Sequence, residues 1–259
     1  MAEEKRQFPT EVVNLPSKGK LYPKSSPLSG GTIELKYMTA REEDILTSRN
    51  LIQKGIVLDK LLESVIVDEN ISLNDLLLGD KNAVMIATRI LGYGKDYTVS
   101  IVDPSSGEKQ EETFDLTSIS DKEVDWDLFK SGKNEFELDL PASKVKLMFR
   151  LLTHKEEKEI DVELKAYKKF AKESGIGSEI TTRLKKAIVS IDGDTSQKRV
   201  NDFVDNELLS RDSLAFREYL IKITPDVDMS FTFTSEATGE DTTMDIPLDV
   251  EFFWPAGRR

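Results

Sequence analysis

Cysteine is absent from the 259 residues, and histidine occurs once, at His154. The first absence excludes disulfides, a thiol nucleophile and thiolate metal ligands. The second leaves a Ser-His-Asp hydrolase a single candidate base. That base stands in Thr153-His154-Lys155-Glu156, a capping box, so its expected place is the solvent-facing first turn of a helix. A basic excess is missing too: 36 Lys and Arg face 48 Asp and Glu, for a net charge of −12. Binding to phosphate backbones or anionic lipid draws on cationic surface, so neither nucleic acid nor a membrane is an expected partner. No apolar run reaches the roughly 20 residues of a transmembrane helix. The opening Met1-Ala2-Glu3-Glu4-Lys5-Arg6 has no signal-peptide pattern, which gives the expectation of a protein made in the cytoplasm.

What remains is 38% apolar and 32% charged residues, enough for a core under a surface of mixed sign. Residues 1–30 read as an extended, Pro-rich arm, because prolines at 9, 16, 23 and 27 forbid helix. It is either a solvated leader or a segment that orders against a partner through Phe8, Leu15, Leu21 and Tyr22. Residues 31–117 form a first α+β unit. Thr32–Tyr37 alternates as a strand, and Thr39-Ala40-Arg41-Glu42 opens a helix as a capping box. Asp80 is read as the cap of the helix that Gly92-Tyr93-Gly94 ends, and a hairpin turns at 103–107. Residues 118–134 read as a linker. A second unit, 135–259, repeats the plan: hairpin, capping box at Thr153, a Lys/Glu-rich helix, a helix over 178–191, two more helices, and a last hairpin whose second strand spans 244–253.

The two units correspond at two places. Strand followed by Thr-x-x-Glu-Glu occurs at 39–43 and 153–157. Leu-Leu, Asp, apolar helix with Arg, breaker, strand and Gly-Glu turn occurs near 77–108 and 209–240. The expected fold is therefore α+β, two related strand–helices–β-hairpin units arising from an internal duplication, with an extended N-terminal arm.

Catalytic constellations do not emerge. Paired carboxylates such as Glu42-Glu43 point about 100° apart on a helix and share no site. Asp192-Gly193-Asp194 starts like a calcium loop but lacks the later oxygen ligands and the closing Glu. No catalytic, cofactor-binding or metal-binding residue is expected. The candidate functional residues are instead contacts to partner proteins. Arg89 and Arg217 sit inside apolar helices, each either pinning its helix to the neighbouring hairpin or reaching a partner subunit. Phe252-Phe253-Trp254 cannot all face inward from one strand, which marks them as an interface anchor.

Leu15-Pro16-Ser17-Lys18-Gly19-Lys20-Leu21-Tyr22, Met38-Thr39-Ala40-Arg41-Glu42-Glu43-Asp44-Ile45-Leu46, Leu77-Leu78-Gly79-Asp80-Lys81-Asn82, Ile90-Leu91-Gly92-Tyr93-Gly94 and Phe252-Phe253-Trp254-Pro255 occur in this order. Together they resemble the baseplate hub proteins of T-even-type contractile-tailed bacteriophages. The resemblance implies a structural, non-enzymatic subunit of the virion tail baseplate, whose partners are other hub or tail proteins and possibly itself. A transient chaperone of hub assembly, absent from the mature particle, is the alternative. Relatives can carry cysteine pairs in the hairpins at zinc-ribbon spacing. The corresponding turns here, 102–107 and 234–239, offer neither thiolate nor imidazole, so no zinc is expected.

Overall fold

A computed structural model describes residues 9–170, 178–248 and 250–253. The fold is α+β, and the strands among these residues lie in four small sheets. In the first half, β1 (Thr10–Asn14) pairs with β2 (Thr32–Lys36), and α1 (Ala40–Thr47), α2 (Arg49–Lys54) and α3 (Val57–Val65) follow. The long α4 (Leu78–Tyr93) then leads into the hairpin of β3 (Asp96–Val102) and β4 (Lys109–Asp115). In the second half, β5 (Phe136–Asp139) and β6 (Lys146–Phe149) precede α5 (His154–Phe170) and α6 (Glu179–Ala187). Next come β7 (Ile188–Ile191), α7 (Gln197–Asp202), a π turn at Phe203–Glu207 and α8 (Ser210–Ile223). The hairpin of β8 (Ser230–Thr234) and β9 (Asp241–Asp245) closes the chain.

Within the N-terminal segment only Thr10–Asn14 is an extended strand, turns and a 3₁₀ helix at Pro27–Gly30 follow it, and the surface it covers belongs to its own chain. Its β1 pairs residue by residue with β2, placing Val13 opposite Ile33. Leu15, Leu21 and Tyr22 are buried in the core. The turn between them is tight: Lys18 (φ 51°) and Gly19 (φ 71°) are left-handed, and a Cβ on Gly19 would stand 2.4 Å from the Ser29 carbonyl oxygen. Neither a solvated leader nor a free docking arm describes residues 9–30.

Asp80 holds this segment in place. It does not cap its own helix, whose start at Leu77 has no side-chain cap. The carboxylate accepts hydrogen bonds from Ser17 N (2.9 Å), Ser17 Oγ (2.7 Å) and Tyr22 Oη (2.6 Å). Tyr22 Oη in turn accepts from Leu77 N (3.0 Å), satisfying one of the free donors at the start of α4. Burial pushes the Asp80 carboxyl up against the pull of these donors, and burial beside Asp80 holds the Tyr22 phenol far above its ordinary range.

The second half repeats the arrangement. Asp212, in the first turn of α8, accepts from Ala142 N (2.7 Å) and Ser143 N (2.9 Å). Lys144 takes the left-handed conformation (φ 62°) that Lys18 takes in the first loop. The Thr39 capping box forms, with Glu42 accepting from Thr39 N (2.8 Å), and Glu156 likewise accepts from Thr153 N (2.9 Å).

Two elements depart from the sequence reading. The helix expected over 178–191 ends at Ala187, because Ile188-Val189-Ser190-Ile191, with three β-branched residues, pairs with β6 as a third strand. The strand expected over 244–253 stops at Asp245, and residues 251–253 form a 3₁₀ turn. The 118–134 stretch is tied to both halves: Lys122 N donates to Asp226 O (2.7 Å) and Gly132 N to Lys20 O (2.7 Å).

The halves meet at several places. Leu77 pairs antiparallel with Thr153, through His154 N to Leu76 O (2.8 Å) and Leu78 N to Leu152 O (3.4 Å). Gly79 permits this approach, since a Cβ there would stand 2.0 Å from the Pro225 carbonyl oxygen. At the other end the two long hairpins touch. Phe114 packs edge-on against Phe231 at 4.6 Å, and the tips share a polar cluster. The tips are closed alike, by Gly107 N to Asp103 O and Gly239 N to Ser235 O, each 2.8 Å. Ser235 Oγ crosses between them to donate to Asp103 Oδ2 (2.6 Å). Hydrogen bonds from Ser235 and then Ser105 hold the Asp103 carboxyl well below the usual carboxylate range.

Two outcomes follow. Asp80→Ala leaves buried donors at Ser17 and Tyr22 unsatisfied and lowers unfolding free energy by about 3 kcal/mol in urea titration, whereas Tyr22→Phe costs about half as much. Equal and small losses in both variants would count against the Asp80 anchor. Because the folded Asp103 carboxyl is depressed, its contribution is fully present above the unfolded value and is lost as pH falls below about 4. Asp103→Asn therefore flattens the acid side of a stability-versus-pH curve, and an unchanged slope would contradict the cluster's role.

Candidate functional site

An apolar groove of about 320 Å³ opens where the halves meet. Its floor comes from Leu77 and Leu78 at the start of α4, Leu151 and Leu152 after β6, Leu184 of α6 and Leu220 of α8. Ile180 (49% exposed) and Ile221 (73% exposed) stand on its sides, although helices of this kind usually turn such residues inward. Three arginines, Arg150, Arg183 and Arg217, line it as well.

Two of these cations are engaged within the chain. Arg150 pairs with Glu156 (2.9 Å). Arg183 makes a bidentate pair with Glu157 (2.7 Å to each oxygen), which raises the guanidinium above its ordinary value. Among the described residues, Arg217 contacts only the Ser213 carbonyl of its own helix, at a long 3.4 Å. A groove with apolar walls and an uncommitted guanidinium can take an apolar segment that carries a carboxylate.

Arg217 is the one sequence-selected residue that the structure places on this open surface. The others are elsewhere. Phe8 and Trp254 lie outside the described residues. Leu15, Leu21 and Tyr22 are interior, as described above, and have no face left for a partner. Arg89 is also buried: Nε donates to Phe252 O (3.0 Å), Nη1 to Gly94 O (3.0 Å) and Nη2 to Asp96 O (3.3 Å). It does pin its helix to the neighbouring hairpin, but through carbonyls rather than an ion pair. Phe252 and Phe253 are fully buried, because the 3₁₀ turn removes the strand alternation that would have exposed one ring. Phe252 stacks edge-on against Tyr97 at 4.9 Å.

His154 also differs from expectation. It is buried between the halves rather than solvent-facing. Lys81 Nζ lies 3.1 Å from Nδ1, which assigns the ring proton to Nε2, 2.9 Å from Asp59 Oδ1. Lys158 Nζ reaches Asp59 Oδ2 at 2.9 Å. Burial opposes ionisation of Asp59, and the His154 and Lys158 hydrogen bonds outweigh it, holding the carboxyl below its ordinary range. Burial pushes the Lys81 ammonium down. The Asp–His pair has a lysine, not a hydroxyl, as its third member, and its contacts run from α3 and α4 to α5, so its evident work is to join the halves.

The hairpin tips supply no zinc site. One carboxylate, Asp103, and hydroxyls from Ser105, Ser106 and Ser235 meet there, and zinc prefers sulfur and nitrogen ligands in its structural sites. Among the described residues no group of three or more His, Cys, Asp or Glu could hold a metal ion. No helix among them is long and apolar enough to cross a membrane.

The groove escaped sequence reading because its walls come from four separated segments. The legible signal was Arg217 with Leu220 and Ile221 on α8, a mixed face that any amphipathic helix would show. No curated protein and no solved structure matches the chain. A family model does: the model described as T4 bacteriophage base plate protein matches residues 8–254. The match takes in both halves, the N-terminal loop under Asp80 and the C-terminal turn over Arg89, and the chain belongs to the T4 bacteriophage base plate protein family.

Proposed function

We propose that this protein is a non-enzymatic structural component of the tail baseplate hub, joined to other hub or tail proteins by protein–protein contacts. The observation that carries the reading is the family match over residues 8–254. The hub assignment within the baseplate rests on the resemblance of the Leu15–Tyr22, Met38–Leu46 and Leu77–Asn82 stretches to hub proteins. The groove supports the assembly role: apolar walls supply area, and Arg217 selects a partner segment bearing a carboxylate. An interior built from loop anchors and inter-unit hydrogen bonds, with its apolar opening on the outside, is what a scaffold subunit needs.

Quantitative mass spectrometry of purified mature tails tests the placement. A fixed copy number in multiples of three or six matches a hub subunit. Presence in infected-cell lysate with absence from tails would instead establish the transient chaperone. The groove has its own test. Ile180→Asp combined with Arg217→Glu changes two surface side chains, so thermal unfolding stays within a few degrees while incorporation into tails falls at least tenfold. Normal incorporation of that variant would remove the groove from the assembly contacts.

A further inference from the structure

The contact that joins the two halves exists once in the chain, but the sequence elements that make it exist twice. In the first half, Leu76-Leu77-Leu78 leads into α4 and lies against Leu152-Thr153-His154, which leads into α5. The second half carries the counterpart of the first segment in Leu208-Leu209-Ser210, two residues ahead of Asp212 as Leu78 is ahead of Asp80. The first half carries the counterpart of the second in Met38-Thr39-Ala40, whose Thr39–Glu42 box matches that of Thr153 and Glu156.

These counterparts do not meet within the chain. Leu76 and Leu77 are buried, whereas Leu209 is 50% exposed. Ala40 is exposed where His154 is buried. In the formed contact the bonds run from His154 N to Leu76 O and from Leu78 N to Leu152 O. The four corresponding groups are Ala40 N, Leu208 O, Ser210 N and Met38 O. Among the described residues none of the four has a hydrogen-bond partner. Backbone groups presented in this way form a pairing edge. Leu214 (49% exposed) and Ile221 (73% exposed) extend the same uncovered surface along α8. On α4 the corresponding positions are covered: Asn82 bonds Asp226 (3.0 Å), and Arg89 is buried beneath Phe252.

We propose that the chain binds a second copy of itself head to tail. The Leu208–Ser210 segment and α8 of one copy dock on Met38–Ala40 of the next, with the antiparallel pairing that Leu77 makes with Thr153. One position differs. Arg211 stands where Gly79 meets Pro225 and Asp226, and the opposing positions are then Tyr93 and Gly94. A Cβ at the Gly79 position would meet the Pro225 carbonyl oxygen at 2.0 Å, so the two copies must stand further apart beside Arg211 than α4 stands from Pro225. Because the two surfaces differ, each copy keeps one of each free after pairing, and the assembly grows until it closes as a ring or continues as a filament. The inference rests on the correspondence of the two halves and is independent of the hub assignment.

Light scattering and sedimentation velocity of the purified full-length chain across a concentration series test it. The expected result is reversible, concentration-dependent assembly. Leu209→Asp breaks the docking segment, and Ala40→Pro breaks its receptor. Proline suits the first position of α1, where it removes the Ala40 N–H while Thr39 is already extended (φ −124°, ψ 177°). Each variant alone should weaken assembly at least tenfold, with unchanged circular dichroism. Mixed together they should form a one-to-one dimer and nothing larger, because one intact segment meets one intact receptor. A wild-type chain that stays monomeric at every concentration overturns the proposal. So does assembly that survives Leu209→Asp, or a mixture in which no dimer forms.

Discussion

Much of this structure depends on one buried carboxylate. Asp80 sits in the first turn of α4 and receives Ser17 and Tyr22 from a loop more than fifty residues earlier. Without that acceptor the loop would bury a hydroxyl, a phenol and a backbone N–H with no partner, and each such group costs on the order of 1–3 kcal/mol. With it, β1 is fixed beside β2, Tyr22 supplies an acceptor to Leu77 N, and the start of α4 is set. Asp212 does the same for the loop at Ala142 and Ser143 with two backbone donors. Two aspartates thus fasten two loops to two helix starts.

The helix starts then decide how the halves meet. Once Asp80 has placed Leu77, its backbone pairs beside Thr153, and Gly79 lets α4 approach Pro225 without a side chain between them. His154 turns into the same junction and links Lys81 to Asp59. The apolar groove is the part of this junction that the halves leave open, walled by α6 and α8 and flanked by Arg217. At the far end, the hairpin tips are joined by Ser235 and Asp103. The junction is thus held at both ends, and the groove lies against the end governed by Asp80.

Several of these features were legible in the sequence. The capping boxes at Thr39 and Thr153 were readable because the bonding partners lie three residues apart, within a single helical turn. The hairpin tips at Gly107 and Gly239 were readable because left-handed backbone selects glycine locally. Ile188–Ile191 was misread as helix because its apolar pattern suits either structure, and only the open edge of β6 made it a strand. The argument that Phe252, Phe253 and Trp254 cannot all face inward assumed strand alternation where the chain turns, and both phenylalanines are buried. The partner residues suffered from a shared weakness: an apolar side chain in a Pro-rich segment looks the same whether its cover is another protein or its own core.

The sequence by itself determined the α+β composition, the helix starts at Thr39 and Thr153, the hairpin turn positions, the acidic balance and the lack of thiolate chemistry, since each depends on residues close together or on composition alone. Only the tertiary structure decided that Asp80 serves Ser17 rather than its own helix, that Tyr22 and Arg89 are interior, and that Arg217 borders a groove. The reason is the range of the forces involved. Capping and turn preferences act within a few residues, whereas the demand that every buried polar group find a partner is met across the whole chain and names no partner in advance.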